Sequence, residues 1–146
     1  MRFTLATALF GAAATVAAAP TPQSTGAPDP ATYENIDIAD LTVRKNDGIQ
    51  SVSFKLSGRD AADLGCSASD PGLPSAVITC GESKYRFALY AGAESEFALR
   101  VYHELGTAVG FYGEGDVPTN CRAGGNGPDD YVCSQVTPTT IVIDGQ

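Results

Sequence analysis

Residues 84–105 read KYRFALYAGAESEFALRVYHEL. Tyr85, Phe87 and Leu89 alternate with Lys84, Arg86 and Ala88. Ala91-Gly92-Ala93 then turns the chain. Beyond it Phe97, Leu99, Val101, His103 and Leu105 share one face, opposite Glu96, Ala98, Arg100, Tyr102 and Glu104. A period of two puts successive side chains on opposite faces, so both runs read as half-buried strands. The pattern continues upstream. Val52, Phe54 and Leu56 alternate with Ser51, Ser53, Lys55 and Ser57, and Asn46-Asp47-Gly48 supplies a turn before them. Tyr33 to Arg44 is β-prone, with Ile36 and Ile38 alternating. Ala76 to Cys80, Val109 to Tyr112 and Ile141 to Ile143 are short apolar strands. Turn signals every ten residues or so make the domain an all-β barrel or sandwich. Arg59 to Leu64 (RDAADL) is compatible with about one and a half helical turns. Gly65 stops it, so it reads as a turn or a single helical turn.

The remainder of the chain precedes or bounds this β region. Met1 to Ala19 reads MRFTLATALFGAAATVAAA: one cationic residue, an apolar run, then small residues. That is a secretory signal peptide, too short and too alanine-rich for a membrane span, with cleavage expected after Ala18. Residues 19–32 carry four prolines and almost no large apolar side chains, and are expected to be a disordered lead. Residues 33–146 form one domain, since 146 residues hardly allow two.

Composition removes several function classes. The chain is 43% hydrophobic and 18% charged, with 16 Gly and 9 Pro, which is globular but rich in loops. Nine Lys+Arg against 17 Asp+Glu give −8, a charge that repels phosphate backbones and anionic membranes. The expected partners therefore include no nucleic acid, and no membrane insertion is expected. One His and no Trp exclude a two-His catalytic pair, a multi-His zinc site and any tryptophan platform. In an oxidising compartment four Cys imply two disulfides with three possible connectivities. Spacing favours local closure, of Cys66 with Cys80 and of Cys121 with Cys133. Zinc would need close C-x-x-C pairs or His partners, and neither occurs.

Candidate chemistry is sparse. His103 lies on an apolar strand face and reads as a core histidine with hydrogen-bond partners; the competing reading is a general base beside a carboxylate. Glu104 is adjacent in sequence but points to the other face. Small fungal ribonucleases match in size and acidity, yet their acid–base pairs need partners that Arg100, His103 and Glu104 do not supply. Seventeen acids permit a glycosidase pair without identifying one. Asp129-Asp130, with Asp116, lack the calcium-loop spacing and read as solvated. No G-x-S-x-G, P-loop or dinucleotide fingerprint occurs, and the glycine run 124–127 fits a tight turn better than a phosphate cradle. No catalytic residue, metal or cofactor is expected.

The most specific stretch is Cys121 to Cys133, CRAGGNGPDDYVC. It resembles the signature of the Alternaria major-allergen family of secreted fungal proteins. Cys66-Ser67-Ala68 and Cys80-Gly81-Glu82 resemble that family's CSA and CGE pieces, and the similarity runs from about Ile38 to Val142. The resemblance implies a stapled barrel of about ten mostly antiparallel strands, with disulfides Cys66–Cys80 and Cys121–Cys133. It implies no catalysis. Family members are allergens or elicitors; those of plant-pathogenic fungi are recognised by plants and induce defence or a hypersensitive response. Some bind thaumatin-like defence proteins or flavonoid-type ligands. The chain is most similar to the elicitor branch. It lacks the extra N-terminal Cys that links two allergen chains, so a monomer or non-covalent dimer is expected. The leading expectation is a secreted effector acting by surface recognition in the plant apoplast or at the fungal cell wall. A small-ligand carrier and a small hydrolase are the alternatives. The Gly-rich loop, pinned by its cysteines, supplies the candidate partner-binding residues Arg122, Asn126, Asp129 and Asp130. They act either as a recognition surface or, with Arg122 pairing to a loop carboxylate, as an internal brace.

Overall fold

A computed structural model describes residues 29–145. The signal peptide and most of the expected lead, residues 1–28, lie outside them. Residues 29–32 form a turn in which the Thr32 amide donates to the Asp29 carbonyl (2.9 Å). The Arg59 guanidinium ties this turn down by donating to the Pro30 and Tyr33 carbonyls.

Alternating sequence produces alternating burial. Strand β1 spans Tyr33–Asn46, β2 Ile49–Gly58, β3 Ala61–Ser69, β4 Ile78–Thr79 and β5 Tyr85–Ala91. The later strands are β6 Phe97–Gly106, β7 Val109–Val117, β8 Thr119–Ala123, β9 Asp130–Gln135 and β10 Thr139–Asp144. The sheet runs β3-β2-β1-β10-β7-β6-β5-β4, and every pairing is antiparallel. It curls into a nearly closed barrel. Ile36, Ile38, Val52, Leu56, Phe87, Leu99, Val101 and Ile143 are buried inside it. Phe54 and Phe87 meet edge to face at 4.9 Å, a favoured aromatic geometry. The two disulfides are Cys66–Cys80 and Cys121–Cys133. The first joins β3 to the chain just after β4, stapling the two ends of the sheet together.

Strand β1 changes partners midway. Residues 33–38 pair with β10, and residues 42–46 pair with β9, which in turn pairs with β8. Asp40, at φ 57°, sits in the register shift between them. The Gln135 side chain fills the gap. It accepts the Leu41 amide (3.0 Å) and donates to the Ile38 carbonyl (2.9 Å).

Four local expectations are corrected. Arg59 to Leu64 is not a helical turn: only residues 59–60 turn, and β3 starts at Ala61. Pairing of Leu64 with Leu56 overrides the weak helical propensity, and Asp63 at φ 48° is incompatible with a right-handed helix. Within Ala76 to Cys80 only Ile78–Thr79 is strand. Leu105 is exposed rather than internal, because the β6–β7 register shifts between Glu104 and Gly106. The segment between Cys121 and Cys133 is not loop throughout: β8 runs to Ala123 and β9 begins at Asp130, so the glycines occupy only the turn of residues 124–129 that joins a hairpin.

Candidate functional site

In the β8–β9 hairpin Cys121 lies directly opposite Cys133, so the disulfide crosses between neighbouring strands. The connection is reduced to residues 124–129, with Gly125 and Gly127 at φ 97° and 126°. Asp130 organises it. Its side chain is fully buried, and Oδ2 accepts the Asn126 amide (2.9 Å) and Arg44 Nη2 (3.2 Å). The Gly124 amide donates to the Asp130 carbonyl at 2.7 Å. A Cβ on Gly124 would stand 2.4 Å from the same carboxylate, so only glycine permits this approach.

The four partner-binding candidates thus separate. Asp130 is an internal brace, and its cation is Arg44 on β1; Arg122 does not fill that role. Arg122 is exposed on the outward face of β8, while Asn126 and Asp129 are exposed in the turn. Sequence reading missed Arg44, because its meeting with Asp130 depends on the bend in β1.

A second polar group lies inside the barrel. Glu34, next inward position before Ile36 and Ile38, is buried at 4% exposure, and so is His103 at 1%. His103 Nδ1 lies 2.6 Å from Glu34 Oε2, and Nε2 lies 3.3 Å from Asp60 Oδ2. The Tyr85 hydroxyl and the Arg59 amide each donate to Glu34 Oε1 at 2.7 Å. The Asp60 amide donates to the Tyr85 oxygen at 3.0 Å, and the Tyr85 ring stacks on His103 with centroids 4.0 Å apart. Gly58 makes room: a Cβ there would stand 2.6 Å from Glu34 Oε1. Burial opposes ionisation of Glu34, but the hydrogen bonds from Tyr85, His103 and Arg59 outweigh it and hold the carboxyl below its ordinary value. Burial, reinforced by Glu34, keeps the Tyr85 phenol protonated well above its usual range. His103 is therefore the core histidine with partners that its strand face suggested. Its carboxylates come from distant segments and not from Glu104, which pairs with Arg86 on the outer surface. Both ring nitrogens face carboxylates, Glu34 in the interior and Asp60, whose side chain is largely exposed, at the end of the barrel. The signal for Glu34 was present in sequence, as an acid in phase with two inward isoleucines.

The β6–β7 end carries a groove of about 430 Å³ lined by Lys84, Arg86, Tyr102, Val109 and Tyr112. The Tyr102 and Tyr112 rings stack there with centroids 6.2 Å apart.

Residues 38–133 match the family model described as Alternaria alternata allergen 1. Among curated relatives the chain is 66% identical to the effector protein PevD1 of Verticillium dahliae over 149 residues, covering 99% of this chain and 94% of that protein. It is 31% identical to the major allergen Alt a 1 of Alternaria alternata, covering 98% and 96%. Two crystal structures of the Alternaria alternata allergen superpose with TM-scores of 0.62 and 0.64 at 25% and 26% identity, covering 77% and 87% of this chain and 94% and 96% of theirs. Sequence and fold agree: the chain belongs to the Alternaria alternata allergen 1 family.

Proposed function

We propose that this protein is a secreted effector that plants recognise through its folded surface, with defence or a hypersensitive response as the outcome and no catalytic step. The observation that carries the reading is 66% identity to an effector protein across 99% of the chain. The buried network supports it, because His103 is held at both nitrogens by Glu34 and Asp60. The site of action is the plant apoplast or the fungal cell wall. The partner is an apoplastic or cell-surface plant protein, with thaumatin-like defence proteins as the first candidates. Both disulfides are internal and consume all four cysteines, so the protein acts as a monomer or a non-covalent dimer.

The test is infiltration of leaves with purified, oxidised protein, followed by pull-down from apoplastic fluid. A response that disappears when the protein is reduced and alkylated is expected. A response that survives unfolding would show a linear epitope and overturn the folded-surface reading. A second reading, a carrier of small apolar or flavonoid-type molecules, is favoured by the tyrosine-lined groove at the β6–β7 end. Its volume lies in the range of small-molecule pockets. Saturable binding of an aromatic ligand, weakened by Tyr112→Ala, would support that reading.

A further inference from the structure

The sheet has three edge strands, β3, β4 and β8, with different fates. The far edge of β3 is held to Cys80 by the Cys66 disulfide. Among the described residues strand β8 pairs only with β9, which leaves its other edge open. The ladder shows which groups that edge presents. The Gly124 amide bonds to the Asp130 carbonyl and the Val136 amide to the Pro118 carbonyl, bracketing the hairpin with hydrogen-bonded pairs. Antiparallel pairs alternate between bonded and non-bonded. The register therefore bonds Asn120 to Ser134 and Arg122 to Val132, and leaves the amides and carbonyls of Thr119, Cys121 and Ala123 pointing away from β9. Among the described residues no other strand pairs with them. The Cys121–Cys133 crosslink holds this edge in place.

The surface beside the edge has a consistent chemistry. Outward residues form two rows across β8, β9 and β1: Arg122–Val132–Arg44 and Asn120–Ser134–Thr42. None is a carboxylate, in a chain with 17 of them. Asp130, which holds Arg44, is fully buried. A strand added along β8 would place a side chain directly beside exposed Arg122, with no acidic residue in either row to repel it. Cross-strand pairs of opposite charge stabilise a sheet, and like charges oppose it.

We propose that the open edge of β8 takes an extended segment of a partner protein as an added strand, with an acidic side chain of that segment facing Arg122. This deepens the surface-recognition reading and rests on it for the partner's origin. The backbone of Thr119, Cys121 and Ala123 supplies the affinity, and Arg122 selects the charge. This is the strand-addition mode of peptide recognition.

Amide exchange followed by NMR tests it, with an acetylated eight-residue peptide alternating valine and glutamate as the probe and a valine–lysine peptide as its counterpart. At ten times its Kd the glutamate peptide should slow exchange of the Thr119, Cys121 and Ala123 amides about tenfold. The lysine peptide should do so far less. Ala123→Pro removes one outward amide and leaves the β9 ladder intact, a position where an edge strand tolerates proline. It should abolish the protection at an unchanged melting temperature, while Ala123→Val retains it. Absence of protection, equal protection by the lysine peptide, or protection surviving Ala123→Pro would each overturn the proposal. So would sedimentation showing that β8 is covered by a second copy of the chain. Failure of the wild-type protein to act on leaves would instead overturn the effector reading and leave the peptide result standing.

Discussion

Replacing Glu34 by alanine should be among the most damaging single changes in the barrel. The carboxylate accepts from the Tyr85 hydroxyl, from the Arg59 amide and at His103, all at 2.6–2.7 Å and all but out of contact with water. Removing the acceptor strands the Tyr85 hydroxyl, the Arg59 amide and the His103 ring nitrogen, at about 1–3 kcal/mol for each buried group left unmatched, so the total loss should be about 3–5 kcal/mol. At roughly 4 °C per kcal/mol for a domain of this size, the melting temperature should fall by about 12–20 °C. Glu34→Gln keeps the volume and one acceptor, so it should cost less, about 1–3 kcal/mol. The pH dependence carries a sign. The folded-state Glu34 pKa lies below its unfolded value, so the stabilisation is complete above about pH 5 and is lost as pH falls through the folded value. Calorimetry of both variants and wild type from pH 7 to 3 should show the gap closing in acid. A Glu34→Ala loss below about 1 kcal/mol, or a deficit constant across that pH range, would refute the account of the network.

Three further outcomes follow from the geometry. Gln135→Leu should strand the Leu41 amide and the Ile38 carbonyl at the β1 partner switch, costing about 1–3 kcal/mol and speeding exchange of the Leu41 amide; a wild-type melting temperature with a protected Leu41 amide would contradict this. Gly124→Ala should push the Asp130 carboxylate away from Arg44 and Asn126, lowering stability by about 1–3 kcal/mol with both disulfides retained, and unchanged protection of the Asn126 amide would count against it. His103→Gln should lower the melting temperature while the leaf response per folded molecule stays the same; a lost response at wild-type stability would instead point to catalysis.

Strands β5 and β6 were legible because large apolar side chains recur at every second position, and from Tyr85 to Leu89 and from Phe97 to His103 that face is buried. The hairpin β8–β9 was not. Its strands are short, its turn is glycine-rich, and only the pairing of Cys121 with Cys133 reveals them as neighbours. Local closure of the disulfides followed from spacing, since each pair spans a short turn-rich segment. The sites divide along the same line. His103 showed its burial through the apolar residues two positions to either side. Its partners did not show, because Glu34 and Asp60 reach it only after β1 and the β2–β3 turn come together at one end of the barrel. Arg44 meets Asp130 only because β1 bends at Asp40, and periodicity carries no sign of a positive φ there. Of the two roles offered for Arg122, the brace belongs to Arg44, and Arg122 itself stands exposed on β8.

The central claim is recognition by a folded surface built on the stapled hairpin, and the double variant Arg122→Ala with Asp129→Asn tests it most directly. Both side chains are exposed, and the Asp130–Arg44 brace beneath them is untouched. In a leaf-infiltration dose series the variant should need about tenfold more protein for the same response, a loss of about 1.4 kcal/mol in recognition, at an unchanged melting temperature. A full response at the wild-type dose from an equally stable variant would contradict the account.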